Sequence, residues 1–290
     1  MGSAVFLYRD YAVTGLLTGG SWRPALPLAN VQNPDIGVVA RSTDASHAAT
    51  KLILDLGVTK IVGGFAIGPS NMSPGAAYRV RAYSDQALSD LLYDSSVTIV
   101  PGSVIDWGDP GVWLEWENPD FWNGYINFDD TINLPLYLGI VFPADIFAQY
   151  FLVEIFDDVN PDGYVQIGRV LCTKAWRPSL NYAPDSNALG IEANTDVQTS
   201  IDGNRSYWEH AQRRTWRCSF PYLPEAEAFD SVFSMANASG VSRQVFIIPD
   251  PDDGTRARKR NFLATFKALP AIAQLNVELG STELDFEEVL

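Results

Sequence analysis

Short runs rich in β-branched and aromatic residues recur along this chain between clusters of Gly, Pro, Asn and Asp, and no other property of the sequence narrows its fold as far. Side chains of the first kind fit a pleated, half-buried surface, and those of the second supply turns, so the pattern predicts many strands joined by short connections. Expected strands are 4–8, 50–56, 61–67, 77–83, 97–100, 112–116, 137–142, 150–156, 164–171 and 214–220. In the run Lys51, Leu52, Ile53, Leu54, Asp55, Leu56, the alternate leucines make one face wholly apolar, as suits a sandwich strand with one side on a core.

One segment breaks the pattern. Pro224-Glu225-Ala226-Glu227 opens a stretch in which Phe229, Val232, Phe233 and Ala236 share a helical face, and Gly240 ends it. Acidic residues in the first turn suit the helix dipole. Beyond it, 244–248, 262–268, 274–279 and 282–286 read as strands, and 249–254 as an exposed turn. Prolines and small polar residues over 174–187 interrupt the strand pattern, so two domains are expected, 1–173 and 174–290. The predicted fold class is mainly β: an N-terminal jelly-roll β-sandwich, then a β-rich domain with one helix.

The 35 acidic residues outnumber the 20 Lys and Arg, and a net charge of −15 repels a phosphate backbone, so nucleic acid is not an expected partner. The first residues lack a basic stretch followed by an apolar one, and no apolar run approaches the about 20 residues of a spanning helix, so neither export by a signal peptide nor a membrane span is expected. Cys172 and Cys218 stand far apart, outside any metal-ligand spacing, and read as two buried thiols.

Catalytic patterns are wanting. Nucleophilic hydrolysis needs a base, and only His47 and His210 are available. Asp44, Ser46 and His47 crowd together, yet neighbours in sequence seldom form a triad. No nucleophile elbow, phosphate loop or dinucleotide turn occurs. Glycoside hydrolysis needs two carboxylates about 5 to 9.5 Å apart, and Glu115, Glu117, Asp120, Asp129, Asp130, Glu154 and Asp157 are too many candidates to name a pair. Asp158-Val159-Asn160-Pro161-Asp162-Gly163 matches the first half of a calcium loop, but Arg169 stands where its bidentate Glu belongs, so a hairpin turn is the simpler reading. Trp107, Trp113, Trp116, Phe121, Trp122 and Tyr125 could fill a core, an interface or a sugar-stacking surface. Arg213, Arg214 and Arg217, and Arg256, Arg258, Lys259 and Arg260 after the acidic 250–253, could meet a neighbouring subunit or stay solvated. No catalytic, cofactor or metal residue is assigned, and an enzyme is not expected.

Two stretches carry a resemblance. Residues 28–34, Ala40-Arg41-Ser42, Leu52-Ile53-Leu54-Asp55-Leu56-Gly57, Phe65-Ala66-Ile67, Asn71-Met72-Ser73 and 78–85, closed by 150–169, resemble galactose-binding-like (discoidin-type) jelly rolls. Gly168-Arg169-Val170-Leu171, Trp176-Arg177-Pro178-Ser179, Arg213-Arg214-Thr215-Trp216 and the helix after Pro224 resemble the C-terminal part of tail-tip and baseplate proteins of long-tailed bacteriophages. The resemblance implies a virion structural component at the tail tip, made in the host cytoplasm. It further implies a three-fold or six-fold homo-oligomeric ring among other tail proteins, with host-surface contact as a further role. The alternative is a carbohydrate-binding module for host surface glycans, since jelly rolls serve both purposes.

Overall fold

The computed structural model describes residues 2–101, 116–117, 122, 134–254, 256–276 and 278–290. The chain is mainly β, as its strand pattern predicts. It divides into two compact units, the first made of residues 1–177 and 246–261, the second of 178–245 and 262–290.

In the first unit the strands are β1 (Val5–Asp10), β2 (Leu16–Thr18), β3 (Ala40–Arg41), β4 (Leu52–Ser70), β5 (Ala77–Tyr83), β6 (Leu91–Asp94), β7 (Thr98–Ile99), β8 (Leu136–Phe156), β9 (Gln166–Ile167) and β10 (Val170–Trp176). Two of them are much longer than expected, because 52–56 and 61–67 join into β4 while 137–142 and 150–156 join into β8. They pair antiparallel, with register shifts between Asp55 and Lys60 and between Val62 and Gly64, so each passes from one layer of the sandwich to the other. The early part of β4 pairs with β2 and the late part of β8, which β5 and β6 extend. The later part of β4 pairs with β10, then β1, then the strand Val245–Ile248. Phe151 of the first layer lies 6.0 Å from Phe65 and 6.4 Å from Phe142 of the second, ring centroid to ring centroid, and all three are fully buried. Burying each contributes on the order of 1.5–3 kcal/mol. Leu52, Leu54 and Leu56 face this core as their alternation predicts.

A bulge in β1 turns the chain where it meets β10. Arg9 takes a left-handed conformation (φ 60) and faces solvent, which sends Asp10 inward. There its carboxylate accepts from the Arg169 guanidinium at 2.8 Å. Burial pushes the Asp10 carboxyl above its ordinary value and the Arg169 guanidinium below its own, each against the pull of its partner. Arg169, the cation that breaks the calcium-loop pattern, is thus a buried structural residue.

In the second unit the strand Arg213–Pro224 pairs with Ala188–Glu192 on one side and Leu279–Glu288 on the other, and the latter also pairs with Phe262–Ala268 and Ile272–Gln274. Trp216 stacks on Phe286 at 6.1 Å, and Phe266 packs 4.6 Å from Phe286. Arg214 and Glu288 form a buried pair: one carboxylate oxygen accepts from the Arg214 backbone N–H and Nε–H, both at 2.9 Å, and the other from Nη2. The strands Thr195–Thr199 and Arg205–Glu209 make a separate hairpin.

The helix after Pro224 is present but turned. Glu225–Glu227, Ala228–Phe233 and Ser234–Ser239 follow as α, π and α segments, and Gly240 caps them with a positive φ. The wider π turn rotates the buried stripe onto Ala228, Val232, Met235, Ala236 and Ser239, and leaves Phe229 and Phe233 outside at 41% and 58% exposure. The expected apolar face was therefore wrong for both phenylalanines.

Candidate functional site

Four segments of the first unit meet at one end of its sandwich: residues 19–23, 40–47, 70–76 and 157–166. Trp22 bridges Ser42, and Thr43 N–H donates to Ser21 O. Ser42 Oγ donates to Asp44 O and accepts from Val165 N–H, which ties 40–47 to 157–166. Asn71 Nδ2 donates to Asp162 Oδ2 at 2.8 Å and to Tyr164 O at 3.1 Å, and its Oδ1 accepts from Gln166 N–H at 2.7 Å. The buried Asp157 carboxylate accepts from the Ser73 N–H and hydroxyl and from Asn160 Nδ2. Gly20 has φ 65, and a Cβ there would stand 2.4 Å from Lys51 O, so only glycine fits that turn. A network satisfied this thoroughly holds loops in a fixed shape without regular secondary structure.

Beside these loops lies a cluster of groups not fully satisfied by the chain. The short helix α1 (His47–Thr50) is fixed by Thr50 Oγ1, which donates to Ile155 O at 2.8 Å, and by Asp158 Oδ1, which accepts from His47 N–H at 3.0 Å. This sets the His47 ring flat on Phe156, with centroids 4.5 Å apart and planes 11° from parallel. Strand alternation brings Glu154 out on the same face of β8, and across the ladder it meets β5 at Arg79 and Arg81. Glu154 Oε2 accepts from Arg81 Nη2 at 2.7 Å, and Glu154 Oε1 stands 3.3 Å from His47 Nε2 without the alignment of a hydrogen bond. His47 Nε2 and Arg81 Nε have no hydrogen-bond partner among the described residues. The His47 side chain is 40% exposed and that of Arg81 23%, although His47 Nε2 and Arg81 Nε are themselves shielded from solvent.

Neighbouring charges are set by local partners. The Arg79 guanidinium pairs with Asp94 and holds its carboxyl down to about 2. Hydrogen bonds from Ser46 keep the Asp44 carboxyl below its ordinary value.

Of the residues singled out in the sequence, His47, Glu154 and Asp44 come to this end, while His210 belongs to the second unit's hairpin, 3.3 Å from Asp196. Asp157 is committed to the loop network. Glu115, Asp120, Asp129, Asp130, Trp107, Trp113, Phe121 and Tyr125 lie outside the described residues, as does the expected strand 112–116 but for its last residue. Trp116 and Trp122 are exposed, and Trp122 Nε1–H donates to Trp116 O. Residues 158–163 form the expected tight turn, with Gly163 at φ 71 and its N–H donating to Asn160 O. Among the described residues no group of three or more His, Cys, Asp or Glu is placed to hold a metal ion. No described helix is long and apolar enough to cross a membrane. The basic residues after 250–253 are taken up inside the chain: Arg260 pairs with Asp253 at 2.8 Å, Arg256 with Asp253 at 3.5 Å, and Arg258 donates to Leu134 O. Sequence reasoning did not join Arg81 and Phe156 to His47, because their contact is made only by strand register.

No protein-family model and no curated protein sequence match the chain. Solved structures similar to part of it include carbohydrate-binding modules and lectin domains, and also family 29 glycoside hydrolases of which it covers 28% and 27%. One is the family 32 carbohydrate-binding module of a Clostridium perfringens protein in complex with galactose, at 15% identity and a TM-score of 0.37, covering 59% of this chain and 99% of that one. Another is the first such module from a family 31 glycoside hydrolase of the same organism, at 11% identity and a TM-score of 0.36, covering 58% and 99%. A third is the lectin domain of lectinolysin complexed with Lewis B antigen, at 13% identity and a TM-score of 0.35, covering 57% and 96%.

Proposed function

We propose that this chain binds glycans through the loop-bearing end of its first unit, without chemistry on them. The observation that carries the reading is the cluster of His47, Phe156, Glu154 and Arg81, where a partly exposed imidazole stacked on an aromatic ring stands beside a partly exposed ion pair. A sugar ring offers an apolar face for stacking and hydroxyls that donate and accept, so it can meet each of these groups at once. Imidazole and guanidinium edges supply donors, and the Glu154 carboxylate supplies acceptors. Asp157, one of the carboxylates weighed for glycoside hydrolysis, is taken up by Ser73 and Asn160. Screening the whole chain on an array of surface glycans should give selective binding that His47→Ala and Arg81→Ala each lower at least about tenfold, the scale of a lost charge-assisted hydrogen bond. Undiminished binding by both variants would place the ligand elsewhere.

A second reading, a subunit of a phage tail tip built as a three-fold or six-fold ring, draws support from the second unit. Every residue of the strands Ala188–Glu192 and Arg205–Glu209 is exposed, and Val197, Ile201, Tyr207 and Trp208 stand in solvent. A lone two-stranded hairpin is marginal in water, and its open edges are templates for pairing with a neighbour. Imaging of purified virions should find the chain at the distal end of the tail; finding it only in host cells would end this reading.

A further inference from the structure

In a chain of net charge −15, a guanidinium without a carboxylate partner is conspicuous. Arg79, Arg81, Arg169, Arg177, Arg214 and Arg217 each pair with an acid. Arg9, Arg23, Arg41, Arg205, Arg213 and Arg243 do not pair with one among the described residues, and of these Arg23 and Arg41 stand together at the loop-bearing end. Arg23 N–H donates to Arg41 O at 2.9 Å, which fixes the two residues side by side. Both side chains lie over the Tyr164 ring, Arg41 at 4.2 Å and Arg23 at 5.4 Å from its centroid. Arg41 is held further by Gln166 Oε1, which accepts from its Nε at 3.1 Å and its Nη2 at 2.7 Å. That acceptor is neutral, so the charge of Arg41 is oriented without being cancelled.

A guanidinium has five N–H donors in a fixed plane. Two from Arg41 go to Gln166, and the others, with those of the exposed Arg23, remain for a ligand. Stacking on an aromatic ring spends the face of the cation and leaves its edge for a planar or tetrahedral anion. Two such edges at a tyrosine match the charge and donor geometry of a carboxylate or a sulfate ester. The long-range field of an acidic protein repels such ligands, so preference for one must come from local cations of this kind.

We propose that Arg23 and Arg41 bind the acidic group of a glycan, so that the preferred ligands carry a carboxylate or sulfate; this rests on the glycan-binding reading above. The test is an array carrying neutral glycans beside their sialylated and sulfated forms, probed with the whole chain and with Arg23→Gln, Arg41→Gln and the charge-keeping Arg41→Lys, alongside a calorimetric titration with inorganic sulfate. The expected result is at least about a tenfold preference for acidic forms, weakened several-fold between 0.05 and 0.5 M salt and largely removed by Arg23→Gln and by Arg41→Gln. Arg41→Lys should keep part of it, and the sialylated and sulfated arms decide which acid is read. Neutral and acidic glycans bound alike, or a preference that survives both glutamine variants, would overturn the inference and leave the glycan reading standing. Sulfate bound through the two arginines with no glycan bound would remove the glycan reading and the inference with it, leaving an anion site only, and binding of neither would remove both as well.

Discussion

Arg214 with Glu288 in the second unit and Arg81 with Glu154 in the first are the same chemical pair in opposite settings. The first is almost wholly buried, its carboxylate takes three N–H groups including a backbone one, and the guanidinium also lies over Phe262. The second sits at a loop-bearing end, shares its carboxylate with His47 without a proper hydrogen bond, and leaves Arg81 Nε without an acceptor. Burial makes an ion pair costly unless every group is met, and once met the pair has nothing left to offer a ligand. A partly exposed pair escapes much of that cost and keeps part of its polar surface toward solvent. Exposure, more than charge, separates these two arginines.

The largest expected effect breaks the contrast from the structural side. Arg214→Ala strands a buried carboxylate and should destabilise the second unit by about 3–5 kcal/mol in denaturant unfolding. Cys172 and Cys218 report on the units separately, because burial pushes both thiols well above their ordinary value and so keeps them unreactive. Arg214→Ala should speed labelling of Cys218 by a thiol reagent far more than that of Cys172; equal acceleration would show that the units do not open separately. Arg81→Ala, by contrast, should cost no more than about 1 kcal/mol of stability while lowering glycan binding. A loss near that of Arg214→Ala would mean that Arg81 is a structural residue too.

A third, smaller effect concerns acid. Asp94 has a carboxyl depressed from 3.8 to about 2 by Arg79, so the folded state favours its charged form. Its contribution is fully present above pH of about 4 and is lost as pH falls through about 2. Asp94→Asn should flatten that part of the stability profile measured by circular dichroism, leaving it unchanged near neutrality in shape. Smallest of all, Phe233→Ser on the solvent side of the helical segment should change stability by no more than about 0.5 kcal/mol; a cost near 3 kcal/mol would mean that the face is covered.

Much of the fold was legible. Period-two leucines at 52–56 found a core strand, Gly240 ended a helix, and 249–254 made a turn, though its first two residues, Pro249 and Asp250, are buried and not exposed as expected. The rotated helix face was not legible, because a π turn leaves no mark in an apolar pattern read at 3.6 residues per turn. Nor were the strands 188–192, 195–199 and 205–209, whose Asp, Gly and Ser, with Asn187, Asn194 and Asn204 beside them, read as loop and whose apolar positions face water instead of a core. The site was legible only in pieces. His47 and Glu154 stood out as types, but their meeting across 107 positions depends on the register of β8 and on one hydroxyl, Thr50 Oγ1, reaching Ile155 O.

The strand Val245–Ile248 closes β1 from the far side of the sequence, pairing Phe6 with Ile247. On a ribosome this has a cost in time. The first unit lacks an edge of its second layer until synthesis has passed residue 248, and by then most of the second unit has already emerged. At roughly 5–20 residues per second, the about 70 residues between β10 and that strand take several seconds, during which the unpaired edge of β1 stays open to wrong partners. Chains cut short after residue 177 should therefore be caught by chaperones or aggregate, although they contain every residue of the proposed glycan site.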